Sequence, residues 1–389
     1  MPDWLTAPLA IAGGGIAGLA LARACGGRGL PWVLVERAPV LREVGSAILL
    51  GMNAYRVLAE LGVAGLVESR AVEVEHAELR DWRGRLLVTV PLGQLSREWG
   101  LKTLVCRRSV VQLALAAGLP AANVRLGWEV RSVRERADGA ILENTAGDTI
   151  RTPLAVGCDG IRGVCRSYVT SRTEPVYSGS VCWRGLVEST DTAFVPFHTM
   201  VERLGPGMRF GVAWNEPGRL GWYLTRTAPA GGHDDPPGLP ERVASLVREW
   251  QPEVGRLIEA TPASAILRTD LADLPTPRRL HRGGVLVLGD AAHAMLPNLG
   301  QGGASALEDA VNLARHLSES PTREAALVRH TRDRRGRVRF KQLLSRGYGI
   351  VHQRPDRWQC VVRDFVLRYL PAGVTGRAYR RWVAGAKEK

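Results

Sequence analysis

Apolar residues in the outer parts of this chain come in short runs that stop at glycine or at an acidic residue. Residues 8–15 (PLAIAGGG) read as a strand entering a glycine turn, and 16–29 (IAGLALARACGGRG) as a helix whose small residues let it lie close on a sheet. A second strand is predicted over 32–37 (WVLVER), and 104–115 (LVCRRSVVQLAL) is a basic pair followed by apolar residues at helical spacing. The strand-then-turn design returns at 154–166 (LAVGCDGIRGVCR) and at 284–290 (GVLVLGD), where each strand ends at an aspartate. Residues 300–317 (GQGGASALEDAVNLARHL) then predict a helix opened by glycines. Strands and helices in this order predict a Rossmann-like α/β unit.

Residues 171–270 change character. The segments 181–188 (VCWRGLVE), 209–216 (RFGVAWNE) and 220–226 (LGWYLTR) are aromatic and β-prone, and Pro217-Gly218 marks a turn between the last two, so a mostly antiparallel sheet is expected. Residues 229–240 (PAGGHDDPPGLP) read as a surface loop and 241–250 as a helix. Beyond about residue 318 the chain reads as helical and basic, through 355–370 (PDRWQCVVRDFVLRYL). The fold class expected is α/β (α+β), with a discontinuous cofactor domain over 1–75, 100–170 and 271–345. A substrate domain over 76–99 and 171–270 is inserted into it, and 346–389 form a C-terminal helical segment.

A length of 389 residues suits two such cores. The net charge of +14 comes almost wholly from arginine, since lysine occurs only at 102, 341, 387 and 389. Those arginines are scattered, without the basic stripe that a nucleic-acid partner requires, and 329–340 (RHTRDRRGRVRF) reads as the solvated face of a helix. No run of 18 apolar residues occurs, so no stable membrane insertion is expected. Asp3 lies where a secretion signal carries positive charge, which makes the cytoplasm the expected location. The six cysteines have neither metal-ligand nor disulfide-framework spacing, and no metal site is expected.

The chemistry lies in the turns. In Gly13-x-Gly15-x-x-Gly18 the first glycine permits a tight turn, the second lets a pyrophosphate approach the backbone, and the third allows close helix packing. Ile16 and Ala17 begin the helix whose free N–H groups would face that phosphate, while Glu36 and Arg37 end the strand that reaches the ribose. The distal Gly289-Asp290, followed by Pro297, Gly300, Gln301, Gly302, Gly303 and Ala304, supplies a second grip on the same cofactor, so FAD is expected. Asp159 and Gly160 repeat the design, although an aspartate at such a place also serves simply as a helix cap.

With these motifs the chain, over residues 8 to about 345, resembles the single-component FAD-dependent aromatic hydroxylases. Within them it resembles the group that includes salicylate hydroxylase, 3-hydroxybenzoate 6-hydroxylase and FAD-dependent urate hydroxylase. The resemblance implies a p-hydroxybenzoate hydroxylase-like fold and a role for Arg108, opening R-x-x-V-x-x-x-L, on the flavin chain, with Arg107 as the one-residue alternative. Only one dinucleotide fold is visible, and in this family NAD(P)H binds transiently without a domain of its own. The implied reaction order is reduction of FAD by NAD(P)H, addition of O2 at C4a, and transfer of one oxygen atom to a small aromatic or heteroaromatic substrate. The chain departs from the family at Gly163, where serine is frequent, and at Ala304, where asparagine is frequent; Arg166 is kept.

Reduced flavin is anionic, which the helix opening at Gly300–Gly303 would stabilise, and Pro297 would shape the loop facing the ring. Trp183, Trp214 and Trp222 are either the dry wall of a substrate pocket or ordinary sheet core. Candidates for acting on the substrate are His198 as a base and Arg209 as an anchor, with His293 as a flavin-side partner. Competing readings are a tailoring hydroxylase or epoxidase on a polyketide, indole or terpene scaffold, a flavin-dependent reductase, and a redox-inert flavoprotein. Monomer and homodimer both fit.

Overall fold

The runs that end in glycine or aspartate assemble side by side. The computed structural model describes residues 5, 7–41, 46–170, 174–189, 191, 193–370 and 379. Its six-stranded sheet has the order His281–Arg282, Val285–Val287, Ala155–Gly157, Leu9–Ala12, Trp32–Glu36 and Val124–Leu126. The last five are mutually parallel and His281–Arg282 is antiparallel. Parallel strands covered on both faces need unbroken apolar sequence, and every residue of Leu9–Ala12 is 0% exposed. Over the strand ends the helices Ile16–Gly26 and Gln301–Glu319 converge. A Cβ on Gly289 would stand 2.9 Å from that of Ala17 and 3.3 Å from that of Ala306, so the absence of a side chain permits this approach.

A seven-stranded sheet has the order Leu267–Asp273, Val176–Glu188, Arg219–Thr227, Met208–Glu216, Thr199–Gly205, His76–Asp81 and Leu86–Pro91. Its pairings are antiparallel except that Thr199–Gly205 runs parallel to His76–Asp81, a pairing that hydropathy alone did not indicate. Alternation along the strands settles what each face does. Phe210, Val212, Trp214, Trp222, Leu224 and Trp183 point together into a core shared with residues of the helices Leu239–Ser245 and Pro252–Glu259. Phe210, Val212 and Leu224, none more than 2% exposed, contribute about 1.5–3 kcal/mol each by burial. Arg209, Ala213, Tyr223, Cys182 and Glu202 occupy the opposite face, turned toward the flavin-motif side of the molecule.

This alternation corrects the expected aromatic wall. Trp183, Trp214 and Trp222 are in phase with Phe210, on the face turned away from Arg209, and their indole N–H groups are already used. They donate to Asp234 at 2.7 Å, to the Val195 carbonyl at 2.8 Å and to Thr261 at 2.9 Å.

Among the described residues two three-stranded sheets complete the β structure: Thr149–Thr152, Gly139–Asn144 and Val130–Arg136; and Ala47–Leu50, Leu104–Arg107 and Val72–Glu73. The chain continues in the helices Arg323–His352 and Arg357–Arg368. Positions 371–378 and 380–389 of the expected C-terminal segment lie outside the described residues. All six cysteines are free and buried. No described helix is long and apolar enough to cross a membrane.

Candidate functional site

At the N-terminal glycine turn the three glycines differ sharply in their surroundings. Gly13 has φ +115°, and a Cβ there would overlap the Cys158 carbonyl; a Cβ on Gly18 would overlap the carbonyl oxygen of Gly13. Gly15, in contrast, opens onto space with no protein atom within 4 Å. The first turn of Ile16–Gly26 has no side-chain cap and no acidic residue, so its N–H groups are free for an anion. Glu36 braces this loop, accepting the Gly14 N–H at 2.5 Å and that of Ala38 at 2.8 Å, and Gln112 donates to the Gly14 carbonyl at 2.8 Å. A carboxylate has lone pairs to spare for a ribose hydroxyl as well. An open cradle at Gly15 with a locked turn around it fits the pyrophosphate of FAD.

Arg107 and Arg108 separate clearly. Arg107 is half-buried and lies 3.5 Å from Glu216, whereas Arg108 is exposed at the first position of the helix Arg108–Ala116. Arg37 is exposed one residue beyond its strand. Asp159 turns inward: its Oδ2 accepts the Cys165 N–H at 2.7 Å, its Oδ1 is buried with no hydrogen-bond partner, and burial raises its carboxyl above the ordinary range. A Cβ on Gly163 would overlap that carboxyl group, which accounts for the glycine at this departure from the family pattern. Gly160 takes φ +78° in the turn that follows Asp159, and Arg166 donates to the Ala291 carbonyl at 2.7 Å, tying this turn to the distal motif.

Asp290 is exposed at the start of the short helix Asp290–His293, facing Gly302, whose Cβ would stand 3.9 Å from its Oδ1. Gly300 adopts φ +62° as the N-cap of Gln301–Glu319, and the first turn of that helix, with Gly302 and Gly303, has no acidic residue. The Ala304 methyl lies in the core rather than beside this opening. Asp290→Ala is expected to weaken FAD binding by about 1–3 kcal/mol through loss of a charged acceptor. Isothermal titration of the apoprotein with FAD checks this; unchanged affinity would make Asp290 a helix cap only.

On the inner face of the seven-stranded sheet Arg209 is 1% exposed and donates to Glu202 at 3.0 Å and to Asn298. Glu202 also accepts from Tyr223 at 2.7 Å and from Tyr348. Burial would lower the Arg209 guanidinium, but Glu202 together with Tyr223 and Tyr348 raises it overall, and burial pushes both tyrosines well above their ordinary value, so the guanidinium stays charged and the phenols neutral. Through Asn298 it grips the turn Pro297–Leu299, which brings Arg209 and Pro297 together. His198 is not part of this group. Arg209 pairs with Leu204 near one end of its strand, whereas His198 precedes Thr199 at the other, roughly 20 Å away at about 3.3 Å per residue. Held at φ +65°, with Nδ1 2.8 Å from the Glu73 carbonyl oxygen, His198 shapes a turn, and it is corrected as a catalytic base beside Pro297.

Beneath the distal motif lies a buried ionic network that hydropathy did not reveal. Asp309 joins His293, which is 2% exposed, and accepts Arg334 Nε at 2.5 Å. Arg334 also donates to Glu308 at 2.9 Å, Lys341 reaches Glu308 at 3.1 Å, and Asn53 links Glu308 at 2.8 Å to Gln301 at 3.1 Å. Against the effect of burial, Arg334 and Lys341 lower the Glu308 carboxyl to about 2. Two further residues of Arg323–His352 fasten the loop before the flavin helix: Gln342 donates to the carbonyls of Leu274, His293 and Ala294 at 2.8, 3.2 and 3.0 Å, and Ser345 to that of Leu296 at 2.7 Å. The basic run 329–340 is therefore only partly a solvated face, since His330 and Arg334 are 1% and 3% exposed.

Burial lowers the His330 imidazole to about 3, against about 6.5 in an unfolded chain. Below pH 6.5 the unfolded state takes up a proton that the folded state refuses. Stability is expected to fall with acidification by up to about 1.4 kcal/mol per pH unit from this residue, until its folded pKa is reached. Urea unfolding between pH 7 and 5 should show His330→Gln with a flatter dependence; an unchanged slope would assign the effect elsewhere.

The comparisons agree with this geometry. The sequence profile of the FAD binding domain family matches residues 6–344. The aurachin C monooxygenase/isomerase of Stigmatella aurantiaca is 35% identical over 95% of this chain and 96% of its own. The 2-heptyl-3-hydroxy-4(1H)-quinolone synthase of Pseudomonas aeruginosa is 32% identical over 97% and 98%. The crystal structure of Klebsiella pneumoniae HpxO with FAD and uric acid superposes with a TM-score of 0.90, at 28% identity and 97% coverage of both chains. With the glycine cradle, the distal aspartate and these matches in hand, the chain belongs to the FAD-binding aromatic hydroxylases, a family of flavoprotein monooxygenases.

Proposed function

We propose that this FAD-dependent monooxygenase, with O2 as co-substrate, hydroxylates a ring carbon of a bicyclic nitrogen heteroaromatic of the 4-quinolone class that carries an apolar side chain. The observation that carries the reading is the end-to-end match to the quinolone synthase, at 97% of this chain and 98% of that one. The residues facing the flavin-motif side suit such a molecule. Behind that side stand a polar cluster of Arg209, Glu202 and Tyr223 and an apolar one of Val74, Leu92, Val105 and Ala213, with Leu49 and Met200 packed against it, both largely buried.

When bound, FAD supplies oxygen activation, with NAD(P)H as electron donor. The glycine turn would hold its phosphates, Glu36 its ribose, Arg108 and Asp290 the flavin chain, and the Gln301–Glu319 N-terminus would favour negative charge at the ring. Arg209, buried and paired with Glu202, would act through Asn298 by positioning the Pro297 turn. The apolar wall keeps water from the reacting carbon. The test is NAD(P)H oxidation and product mass with a 2-alkyl-4-quinolone, salicylate and urate offered separately. Turnover coupled to a quinolone product one oxygen atom heavier is expected. Oxygenation of salicylate or urate, with quinolone merely uncoupling NAD(P)H oxidation, would overturn the substrate class.

A further inference from the structure

The helices Arg323–His352 and Arg357–Arg368 are turned inside out. In Arg357–Arg368 the buried residues are Cys360 and Arg363. Trp358, Val361, Val362, Phe365, Val366 and the adjoining Tyr369, at helical spacing, are 54–67% exposed. Arg363 fixes this orientation by donating to the carbonyls of His352 at 2.8 Å and Leu204 at 3.4 Å. The second half of Arg323–His352 repeats the pattern: Lys341, Gln342 and Ser345 point inward, while Phe340, Leu343, Leu344, Ile350 and Val351 are 38–59% exposed. A helix of a globular protein normally turns its apolar stripe to the core, and outward stripes on adjoining helices mark a contact surface.

Charge identifies the occupant. Residues 337–370 contain seven arginines and one lysine against Asp356 and Asp364, a net charge of +6, which Glu308, Asp273 and Glu249, paired with Lys341, Arg346 and Arg357, reduce to +3. Arg337, Arg339, Arg354, Arg357 and Arg368 are exposed. A two-fold pairing of this face with a second copy would set these like charges against themselves. An anionic lipid surface receives both components, the apolar stripe at the acyl boundary and the arginines among the headgroups. Trp358 and Tyr369 stand at the two ends of the stripe, and rings with an apolar body and a polar tip suit a bilayer interface.

We infer that this helical pair docks on the surface of an anionic phospholipid bilayer, lying in the interface without crossing it. A substrate with an apolar tail partitions into the same bilayer, but docking does not depend on that reading, and its test uses no substrate. The holoenzyme is sedimented with vesicles of phosphatidylcholine alone or with about a third phosphatidylglycerol. Partition onto the anionic vesicles is expected to be at least about tenfold stronger and to weaken at high salt. The double variants Val361→Asp with Phe365→Asp, and Arg354→Glu with Arg368→Glu, should each reduce it about tenfold or more while keeping flavin content and far-UV circular dichroism. Light scattering separates the alternatives. A dimer dissociated by the aspartate pair, with no vesicle binding by the parent protein, would overturn the inference in favour of self-association; a monomer that binds neither vesicle would overturn it outright.

Discussion

Replacing Gly15 with valine is expected to give a folded protein that purifies without FAD. Gly15 sits at φ −77°, ψ −175°, a conformation open to any residue, and its Cβ direction meets no protein atom within 4 Å. Valine therefore strains nothing in the protein and fills only the space left for the pyrophosphate. Loss of even two hydrogen bonds to a charged group, at about 1.5–3 kcal/mol each, weakens binding more than about a hundredfold. Gly18→Val provides the contrast, because its side chain would collide with the Gly13 carbonyl and damage the turn itself. Flavin absorbance per mole of protein, read beside circular dichroism, checks both. A Gly15→Val protein carrying stoichiometric FAD would sink the assignment of this turn.

The Asp309→Ala variant is expected to lose about 3–5 kcal/mol of stability, the usual cost of leaving one member of a buried ionic set uncompensated. Asp309 is 2% exposed, and burial alone would raise its carboxyl, yet His293 and Arg334 hold it well below the usual carboxylate range. A depressed carboxyl contributes stability above its unfolded pKa of about 3.9, fully present at neutral pH and lost only as acid reaches the folded value. Removing it leaves Arg334, 4% exposed at the side chain, with Glu308 as its remaining acid. Urea unfolding at pH 7 measures the change, and a loss below about 1 kcal/mol would show that water or Glu308 takes over the charge. Because Gly289 N–H lies 3.4 Å from the same carboxylate, the variant should also retain FAD less tightly.

What was legible in the sequence is what a single residue type can satisfy. Gly13 at φ +115° and Gly18 against the Gly13 carbonyl admit no side chain, and Asp159 and Asp290, just past the strands Ala155–Gly157 and Val285–Val287, stand in turns whose geometry is local. The parallel sheet follows from short unbroken apolar runs. What escaped is everything that depends on choosing between two faces. Period-two spacing put Trp214 and Trp222 on one side of a sheet without saying which side meets the flavin motifs. In Arg323–His352 the polar set 330, 334, 341 and 345 has the same helical period as the apolar set 340, 344 and 351. The polar set goes inward only because Glu308 and Asp309, supplied by another helix, wait there as buried partners. His198 drew attention by residue type alone, although its position at a strand's far end had already removed it from Arg209.

The overlap between a residue-163 side chain and the Asp159 carboxyl ties these two positions together sterically. With Asp159 bonded to the Cys165 N–H as it is here, any side chain at 163 displaces the acid, so a relative with serine there must hold its aspartate in another rotamer or surrender that bond. Substitution histories at 159 and 163 should accordingly be coupled, with glycine at 163 accompanying an inward aspartate and serine accompanying an outward one.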